Sequence, residues 1–215
     1  MKKKIILASA SPRRQELLTQ IGLDFEVHPS DWEEKTEKEL PGEVVQELSF
    51  HKAMEVYHRL QVGAGESLAE ESLVVIGADT IVACQGQILG KPGDKERAAG
   101  MLRLLQGDVH QVYTGVSLVW QEQGKTESFS FYECTDVRVF PMKEEEIAGY
   151  VETREPMDKA GAYGIQGRFA AFIRGIDGDY NNVVGPSGGK ALSGNEKKRT
   201  NLGERHWDDE KSCNF

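Results

Sequence analysis

The run LVVIGADTIVAC, Leu73–Cys84, constrains the fold of this chain more than any other stretch. Its apolar and β-branched residues predict a buried strand, which we place at Ser72–Cys84. Two polar residues, Asp79 and Thr80, interrupt it in the middle. A carboxylate inside an apolar strand is costly unless it is paired, binds a metal or faces a cleft. Asp79 is therefore either a general base or metal ligand, or a turn residue that accepts from backbone N–H groups, and this stretch alone leaves both interpretations open.

A strand that passes directly into a capped helix is predicted near the N-terminus. Lys3–Ala8 is apolar enough for a buried strand. Ser11 and Pro12 follow at the positions that favour an N-cap and the first helical residue. An apolar helix face comes next, and Gly22 suits the position just past the end of the helix.

The same helix start carries a local excess of positive charge and hydroxyl groups. Unpaired N–H groups at a helix N-terminus attract anions, and Ser9 and Ser11 add hydroxyls beside them. Arg13 and Arg14 add guanidinium groups, which bond phosphate oxygens in pairs. A less specific interpretation is that Ser11 only caps the helix and both arginines are solvated. Because arginine in a first helical turn opposes the helix dipole, a bound phosphate explains the pair better.

The remaining pattern alternates between helices and strands, which predicts an α/β fold with a mixed sheet. Loops are predicted at Ser30–Glu43 and Gln61–Ser72. Helices are predicted from about Pro41 to Leu60, from Asp94 to Gly107 and over Lys143–Thr153. Further strands are predicted at 25–28, after a hairpin turn at 85–86, at about 110–121 and 128–140, and in the glycine-rich stretches 160–167 and 169–180.

Three more polar residues are candidates for ligand contacts. Lys91 lies in a GKP turn and Lys52 on the first long predicted helix, and each taken alone fits an ordinary surface lysine equally well. The run DKAGAYGIQG, Asp158–Gly167, permits close backbone approach, although tight strand crossings use such glycines too. The amide of Gln166 offers both a donor and an acceptor, as reading a nucleotide base requires.

Composition excludes several classes of protein. The net charge of -9 disfavours nucleic-acid binding through the bulk surface, so an anionic ligand needs a local basic pocket. The apolar runs are too short for a membrane span or a signal peptide, which predicts a cytoplasmic protein with no membrane partner. The three widely spaced cysteines predict no disulfide framework, and the chain has neither a P-loop nor a Rossmann fingerprint.

Four motifs follow one another in a specific order: SASPRR, GADTIV, GKP and DKAGAYGIQG. Together they resemble the Maf-like nucleoside triphosphate pyrophosphatases, over about Lys3 to Gly185. The resemblance implies an elongated inosine-triphosphatase-like α/β fold, with a twisted mixed sheet and a cleft between two lobes. It also implies hydrolysis of a nucleoside triphosphate substrate to the monophosphate and pyrophosphate, and it is compatible with a homodimer. The alternative, from another class, is a nucleotide-binding regulator of septum formation and cell division that acts through a protein partner.

The resemblance assigns the substrate contacts to particular residues. Arg13, Thr80 and Gln166 occupy the positions that mark the branch of the family acting on dTTP and UTP. Contacts to the phosphates are implied for a set of hydroxyl and cationic side chains: Ser9, Ser11, Arg13, Arg14, Lys52 and Lys91.

The same resemblance assigns the catalytic chemistry. Asp79 takes the position of the aspartate that accepts a proton from the attacking water. A divalent cation, Mg²⁺ or Mn²⁺, is implied as cofactor, with Asp79 and Glu34 as its protein ligands; Glu33 is adjacent to the latter.

The chain after Gly185 departs from the family's pattern. The resemblance leads us to expect an apolar segment and a final helix there, whereas the sequence from Pro186 onward is polar and rich in glycine. We therefore expect a nucleotide pyrophosphatase domain over residues 1–185 and a disordered tail over residues 186–215. All the implied site residues precede this change in composition.

Overall fold

The computed structural model describes residues 3–64 and 72–185, which form five α-helices and a seven-stranded mixed sheet. The strands are β1 (Lys3–Leu7), β2 (Glu26–Val27), β3 (Ser72–Cys84), β4 (Gln87–Leu89), β5 (Val109–Glu122), β6 (Lys125–Val139) and β7 (Ile173–Asp177). The helices are α1 (Pro12–Gln20), α2 (Pro41–Ala64), α3 (Lys95–Leu105), α4 (Glu144–Glu152) and α5 (Tyr180–Val184). The predicted α/β class with a mixed sheet is confirmed.

The sheet places Asp79 and Thr80 beside the end of a shorter neighbouring strand. The strand order is β2-β1-β3-β5-β6-β7, with β4 also paired to β3. Strand β1 runs parallel to β2 and β3, and the other pairings are antiparallel. Because β1 ends with Leu7 opposite Ile76, the following part of β3 has no β1 neighbour on that side. A cleft opens at this point, and Asp79 lies beside it.

Two glycines allow helix α2 to lie directly on the sheet. A Cβ atom added to Gly77 in β3 would overlap the carbonyl oxygen of Ser49 in α2. A Cβ on Gly115 in β5 would likewise overlap the carbonyl oxygen of Val45. The helix backbone therefore touches both strands, and this close approach carries the side chain of Lys52 to β3.

The strands predicted in the glycine-rich stretches are mostly wrong. Residues 155–172 form three 3₁₀ helices, Glu155–Asp158, Ala160–Ala162 and Arg168–Phe172, and only β7 is extended. Gly161 and Ala162 have φ angles of +67° and +60°, which no extended strand contains. Gly161 also lies against Val82, where an added Cβ would come within 2.7 Å of a methyl group. Gly161 therefore lies in a tight turn that packs on β3, and not at a crossing of two strands.

The loop predicted at Gln61–Ser72 begins too early, because helix α2 continues through Ala64. The Gln61 side chain donates a 2.7 Å hydrogen bond to the Tyr57 hydroxyl four residues earlier. This contact supports the extra helical turn. The other predicted elements are present with small differences at their ends.

The predicted disorder of residues 186–215, and with it the proposed domain boundary, lies outside the described residues. Within 3–64 and 72–185, no helix has the length and apolar character needed to span a bilayer.

Candidate active site

A cavity of about 840 Å³ occupies the cleft beside β3. Its walls come from the start of α1 and the segment before it, from the β2–α2 and β4–α3 connections, from helix α2, from the middle of β3, and from the segment between α4 and β7. All ten site residues expected from the sequence line this cavity: Ser9, Ser11, Arg13, Arg14, Glu34, Lys52, Asp79, Thr80, Lys91 and Gln166. Their common location is a structural finding, whereas the chemical role of each stays a prediction.

Lys52 joins the two acidic residues of the site. Its Nζ atom lies 2.5 Å from Asp79 Oδ1 and 2.6 Å from Glu34 Oε1. Asp79 is only 6% exposed, and the helix-to-sheet contact described above brings Lys52 to it. The carboxylate inside the apolar strand is therefore compensated by an ion pair, as its burial requires.

The two carboxyl groups have opposite pKa shifts. Burial raises the pKa of Asp79 above its ordinary value, and the positive charges of Lys52 and Arg14 only partly oppose that effect. Burial also acts to raise the pKa of Glu34, but the hydrogen bond and charge of Lys52 together with the charges of Lys91 and Arg14 outweigh it, so the net pKa of Glu34 is lowered. Asp79 is thus the better proton acceptor, and Glu34 is the more permanent negative charge.

Arg14 is anchored to the protein by three hydrogen bonds. Its Nη1 donates to Ser9 Oγ at 3.0 Å and to the carbonyl oxygen of Ala78 at 2.9 Å. Its Nη2 donates to Thr80 Oγ1 at 3.2 Å. Burial lowers the pKa of this guanidinium, and the charge of Asp79 opposes that shift. Arg14 is therefore a fixed positive charge at the junction of β1 and β3.

Arg13, Ser11 and Lys91 are less constrained. The Nη1 of Arg13 lies 4.0 Å from an Asp158 carboxylate oxygen, and Lys91 is exposed. Ser11 occupies the N-cap position of α1, but its hydroxyl makes no capping hydrogen bond to the helix. The structure therefore does not support the interpretation that Ser11 serves only as a cap. Helix α1 begins at the cavity, and these polar groups surround its first turn.

Thr80 takes part in a hydrogen-bonded chain that continues through the sheet. Its Oγ1 lies 2.9 Å from the Oγ1 of Thr114, its direct partner on β5, and Thr114 donates to the carbonyl oxygen of Asn182 at 2.8 Å. Since the Thr114 proton is engaged, Thr80 donates to Thr114 and accepts from Arg14. The Thr80 hydroxyl therefore acts on the position of Arg14. Sequence reasoning missed Thr114 and Asn182, because only the strand register shows their link to the site.

Sequence reasoning also missed three cavity residues between α4 and the GIQG run. Lys159 Nζ donates to Asp158 Oδ1 and to the carbonyl oxygen of Glu155, both at 2.7 Å. All three residues line the cavity. The DK pair at the start of DKAGAYGIQG was the available signal, since it adds a cation next to the glycines.

Asp79 and Glu34 are also the residues best placed to hold a divalent cation. Among the described residues, no group of three or more His, Cys, Asp or Glu side chains could hold a metal by itself. Mg²⁺ is commonly bound by one or two carboxylates, with substrate phosphates and water as the other ligands. Both carboxylates already contact one ammonium group, so they fit a cation that shares its coordination with a phosphate chain.

Comparisons with known proteins point to a single family. The profile of the family described as "Maf-like protein" matches residues 4–188. A protein of Agathobacter rectalis named dTTP/UTP pyrophosphatase is 53% identical over 186 residues, which cover 85% of this chain and 91% of that protein. Proteins of the same name from Lachnoclostridium phytofermentans and Thermoanaerobacter sp. are 46% and 47% identical, again over 85% of this chain and over 88% and 90% of their own length. The chain belongs to the Maf-like family.

Proposed function

We propose that this protein is a pyrophosphatase that hydrolyses dTTP and UTP to the monophosphate and pyrophosphate. The observation that carries the proposal is Asp79, a buried carboxylate with a raised pKa in a cavity lined by Arg13, Arg14, Lys52 and Lys91. Relatives that are 46% to 53% identical carry the name dTTP/UTP pyrophosphatase, which supports the same substrates here.

The triphosphate is bound at the cationic wall of the cavity. Arg13 and Lys91 are open to the cavity and contact the phosphate oxygens directly, with the hydroxyls of Ser9 and Ser11 and the first N–H groups of α1. Arg14 adds a positive charge whose orientation is set before substrate arrives, because three hydrogen bonds hold it. Lys52 lies beside Asp79 and meets the phosphate chain at the position of the reacting bond.

Asp79 accepts a proton from the water that attacks the α-phosphorus. The water oxygen forms a bond to phosphorus, and the bond from phosphorus to the bridging oxygen breaks. Pyrophosphate leaves with the electron pair, and the cationic side chains stabilise its charge. When bound by Asp79 and Glu34, Mg²⁺ or Mn²⁺ supplies further neutralisation of the phosphate charge.

Base selection falls to Gln166 and Arg13. The Gln166 side chain is exposed in the cavity, and its amide has the donor and acceptor that a pyrimidine edge requires. Thr80 contributes indirectly, through its hydrogen bond with Arg14. Asp79 favours an enzyme over the septum regulator, because a protein that only senses nucleotide gains nothing from a buried base beside the phosphates.

The test is pyrophosphate release from a panel of nucleoside triphosphates with Mg²⁺ or Mn²⁺. We expect dTTP and UTP to be cleaved, and we expect Asp79→Asn to retain dTTP affinity while losing about 10²-fold or more in kcat. The matched control is Asp177→Asn on β7, whose carboxylate is exposed and pairs with Arg138. Full turnover by Asp79→Asn, or equal cleavage of all purine triphosphates, would contradict the proposal.

A further inference from the structure

The turn that carries Gln166 is held at both ends by one pair of side chains. The backbone N–H of Gly164 donates to the Tyr150 hydroxyl at 3.3 Å, and the N–H of Arg168 donates to Glu155 Oε2 at 3.1 Å. The Tyr150 hydroxyl in turn donates to Glu155 Oε1 at 3.0 Å. Both ends of the turn are therefore tied to a single carboxylate. We name these two side chains, Glu155 and Tyr150, the turn clamp.

The turn clamp has a rigid support of its own. Tyr150 is 4% exposed, and its ring packs on Phe169 with centroids 5.2 Å apart. Burial and the charge of Glu155 raise the pKa of Tyr150, so its hydroxyl stays a donor. The backbone of Glu155 is fixed on both sides, by a bond from its N–H to Thr153 Oγ1 at 3.2 Å and by the bond from Lys159 to its carbonyl oxygen.

The absence of a side chain at Gly167 leaves room for the carboxyl group of Glu155. Its φ of -101° is available to any residue, so its backbone does not require glycine. A Cβ at this position would instead overlap the Glu155 carboxyl group. The glycine next to Gln166 is thus explained by the close approach of the carboxylate to the turn.

Gln166 itself depends on this backbone for its direction. Its side chain is exposed in the cavity, so the turn that carries it sets the point from which the side chain extends and the part of the cavity that its amide can reach. A hydrogen-bonding group discriminates between ligands only if it is held in place, because a displaced amide can adapt to a wrong base edge.

We propose that Glu155 and Tyr150 are positioning residues for base selection, which fix the Gly164–Arg168 turn so that the Gln166 amide meets the pyrimidine edge. The inference rests on the proposed function and assigns its specificity to residues that do not touch the phosphates. Glu155 and Tyr150 act through the turn, whereas Arg14, Lys52 and Lys91 bind the phosphates whichever base the substrate carries.

The test compares kcat/KM for dTTP and dATP in Glu155→Gln and Tyr150→Phe. We expect the dTTP preference to fall about tenfold in each, mainly through a higher KM for dTTP. Inhibition by pyrophosphate should not change, because it reports the cationic wall. Glu152→Gln is the matched control, since this exposed carboxylate three residues away pairs with Lys95 on the surface. Adding Glu155→Gln to Gln166→Ala should cause no further loss of preference.

Two other outcomes would contradict the proposal that the turn clamp positions Gln166. One is an equal fall in kcat/KM for both nucleotides together with a lower free energy of unfolding, which means that the clamp only stabilises the fold. Another is a loss of preference that adds to that of Gln166→Ala. If the wild type releases no pyrophosphate from dTTP, the proposed function fails by itself. In that case, calorimetric dissociation constants of dTTP and dATP for the same variants test the clamp. The ratio of the two constants should change by the same factor of about ten in favour of dATP.

Discussion

The ammonium group of Lys52 contacts two carboxylates at once: its Nζ lies 2.5 Å from Asp79 Oδ1 and 2.6 Å from Glu34 Oε1. Without it, a buried carboxylate and a second negative charge would lie close together with no cation between them. Lys52 lowers the pKa of Asp79, whereas burial and Glu34 raise it. Burial is the largest influence on the protonation of the proposed base, and Lys52 is the strongest of the charges that oppose it.

Replacing Lys52 should move the acidic limb of the pH–rate profile upward. Lys52→Met removes the charge that favours ionised Asp79, so the pKa of Asp79 rises and a higher pH is needed to deprotonate it. The profile of kcat/KM for dTTP against pH measures this shift in the free enzyme. Lys95→Met, which removes a surface pair with Glu152, should leave the limb in place. A shift to lower pH in Lys52→Met would contradict this account.

Thr114 should matter for its hydroxyl more than for its size. Thr114→Val leaves the buried carbonyl oxygen of Asn182 without this donor and removes the acceptor of the Thr80 proton. We expect the free energy of unfolding in urea to fall by about 1–3 kcal/mol. Thr114→Ser keeps the hydroxyl and should recover most of this loss, and an equal loss in both variants would point to packing instead.

At the scale of elements, the site depends on how α2 crosses the sheet. Lys52 on α2 and Asp79 on β3 are 27 residues apart in the chain, and their contact exists because the helix backbone lies directly on β3 and β5. Gly77 and Gly115 make that approach possible. Gly77, two residues before Asp79 in GADTIV, therefore has a role in forming the site as well as in packing.

Gly77→Ala should disturb stability and catalysis together. The new methyl group would overlap the Ser49 carbonyl oxygen and push α2 away from β3. We expect a loss of about 1–3 kcal/mol in the free energy of unfolding, as for other overpacked sites. We also expect kcat to fall, because Lys52 moves away from Asp79. Gly175→Ala in β7 is the control, since nothing lies within 4 Å of its added Cβ, and a similar loss there would exclude overpacking as the cause.

Periodicity and capping signals were enough to predict most elements from the sequence. The buried strand around Asp79, the Pro12 start of α1 and the Asp94 cap of α3 are all present, with Asp94 accepting from the N–H of Arg97 at 2.8 Å. The stretch 160–172 was predicted wrongly because glycines fit both extended strands and left-handed turns. The positive φ angles of Gly161 and Ala162 and the packing of Gly161 on Val82 distinguish the two, and both are visible only in the folded structure.

The sequence predicted the members of the site better than their contacts. Motif order led to the residues that share the cavity, but it did not indicate that Lys52 also contacts two carboxylates. Its phosphate contact stays a prediction. Glu155 was missed because its link to Gln166 runs through backbone N–H groups of a turn. Thr114 was missed because strand register is a long-range property that local patterns do not contain.

At the scale of the whole molecule, the charge of the cavity lining differs from that of the chain. The chain carries a net charge of -9, whereas its cavity is lined by five arginines and lysines, from four separate parts of the chain, and by five carboxylates. Positive charge is therefore locally more frequent in the cavity than in the chain as a whole. A homodimer stays a prediction, and sedimentation velocity measures it directly.

His110 links the stability of the whole fold to pH. It is 2% exposed in β5, its Nε2 lies 2.7 Å from the Tyr163 hydroxyl, and its Nδ1 has no hydrogen-bond partner among the described residues. Burial lowers the pKa of His110 to about 4, against a weaker opposing effect of the Asp108 charge. The imidazole is therefore neutral in the folded protein under conditions in which it is protonated in the unfolded chain.

This lowered pKa predicts that acid destabilises the fold through His110. Since the unfolded chain binds the proton near pH 6.5 and the folded protein only near pH 4, this contribution is complete above pH 6.5 and is lost as the pH falls through about 4. The loss amounts to about 3 kcal/mol. Urea unfolding at several pH values in this window should show a shallower dependence for His110→Gln and His110→Leu than for the wild type. The two substitutions separate titration from the lost hydrogen bond, because they differ in polarity but neither titrates. Acidic residues titrate in all three proteins, so parallel curves for the wild type and both variants would remove His110 as the cause.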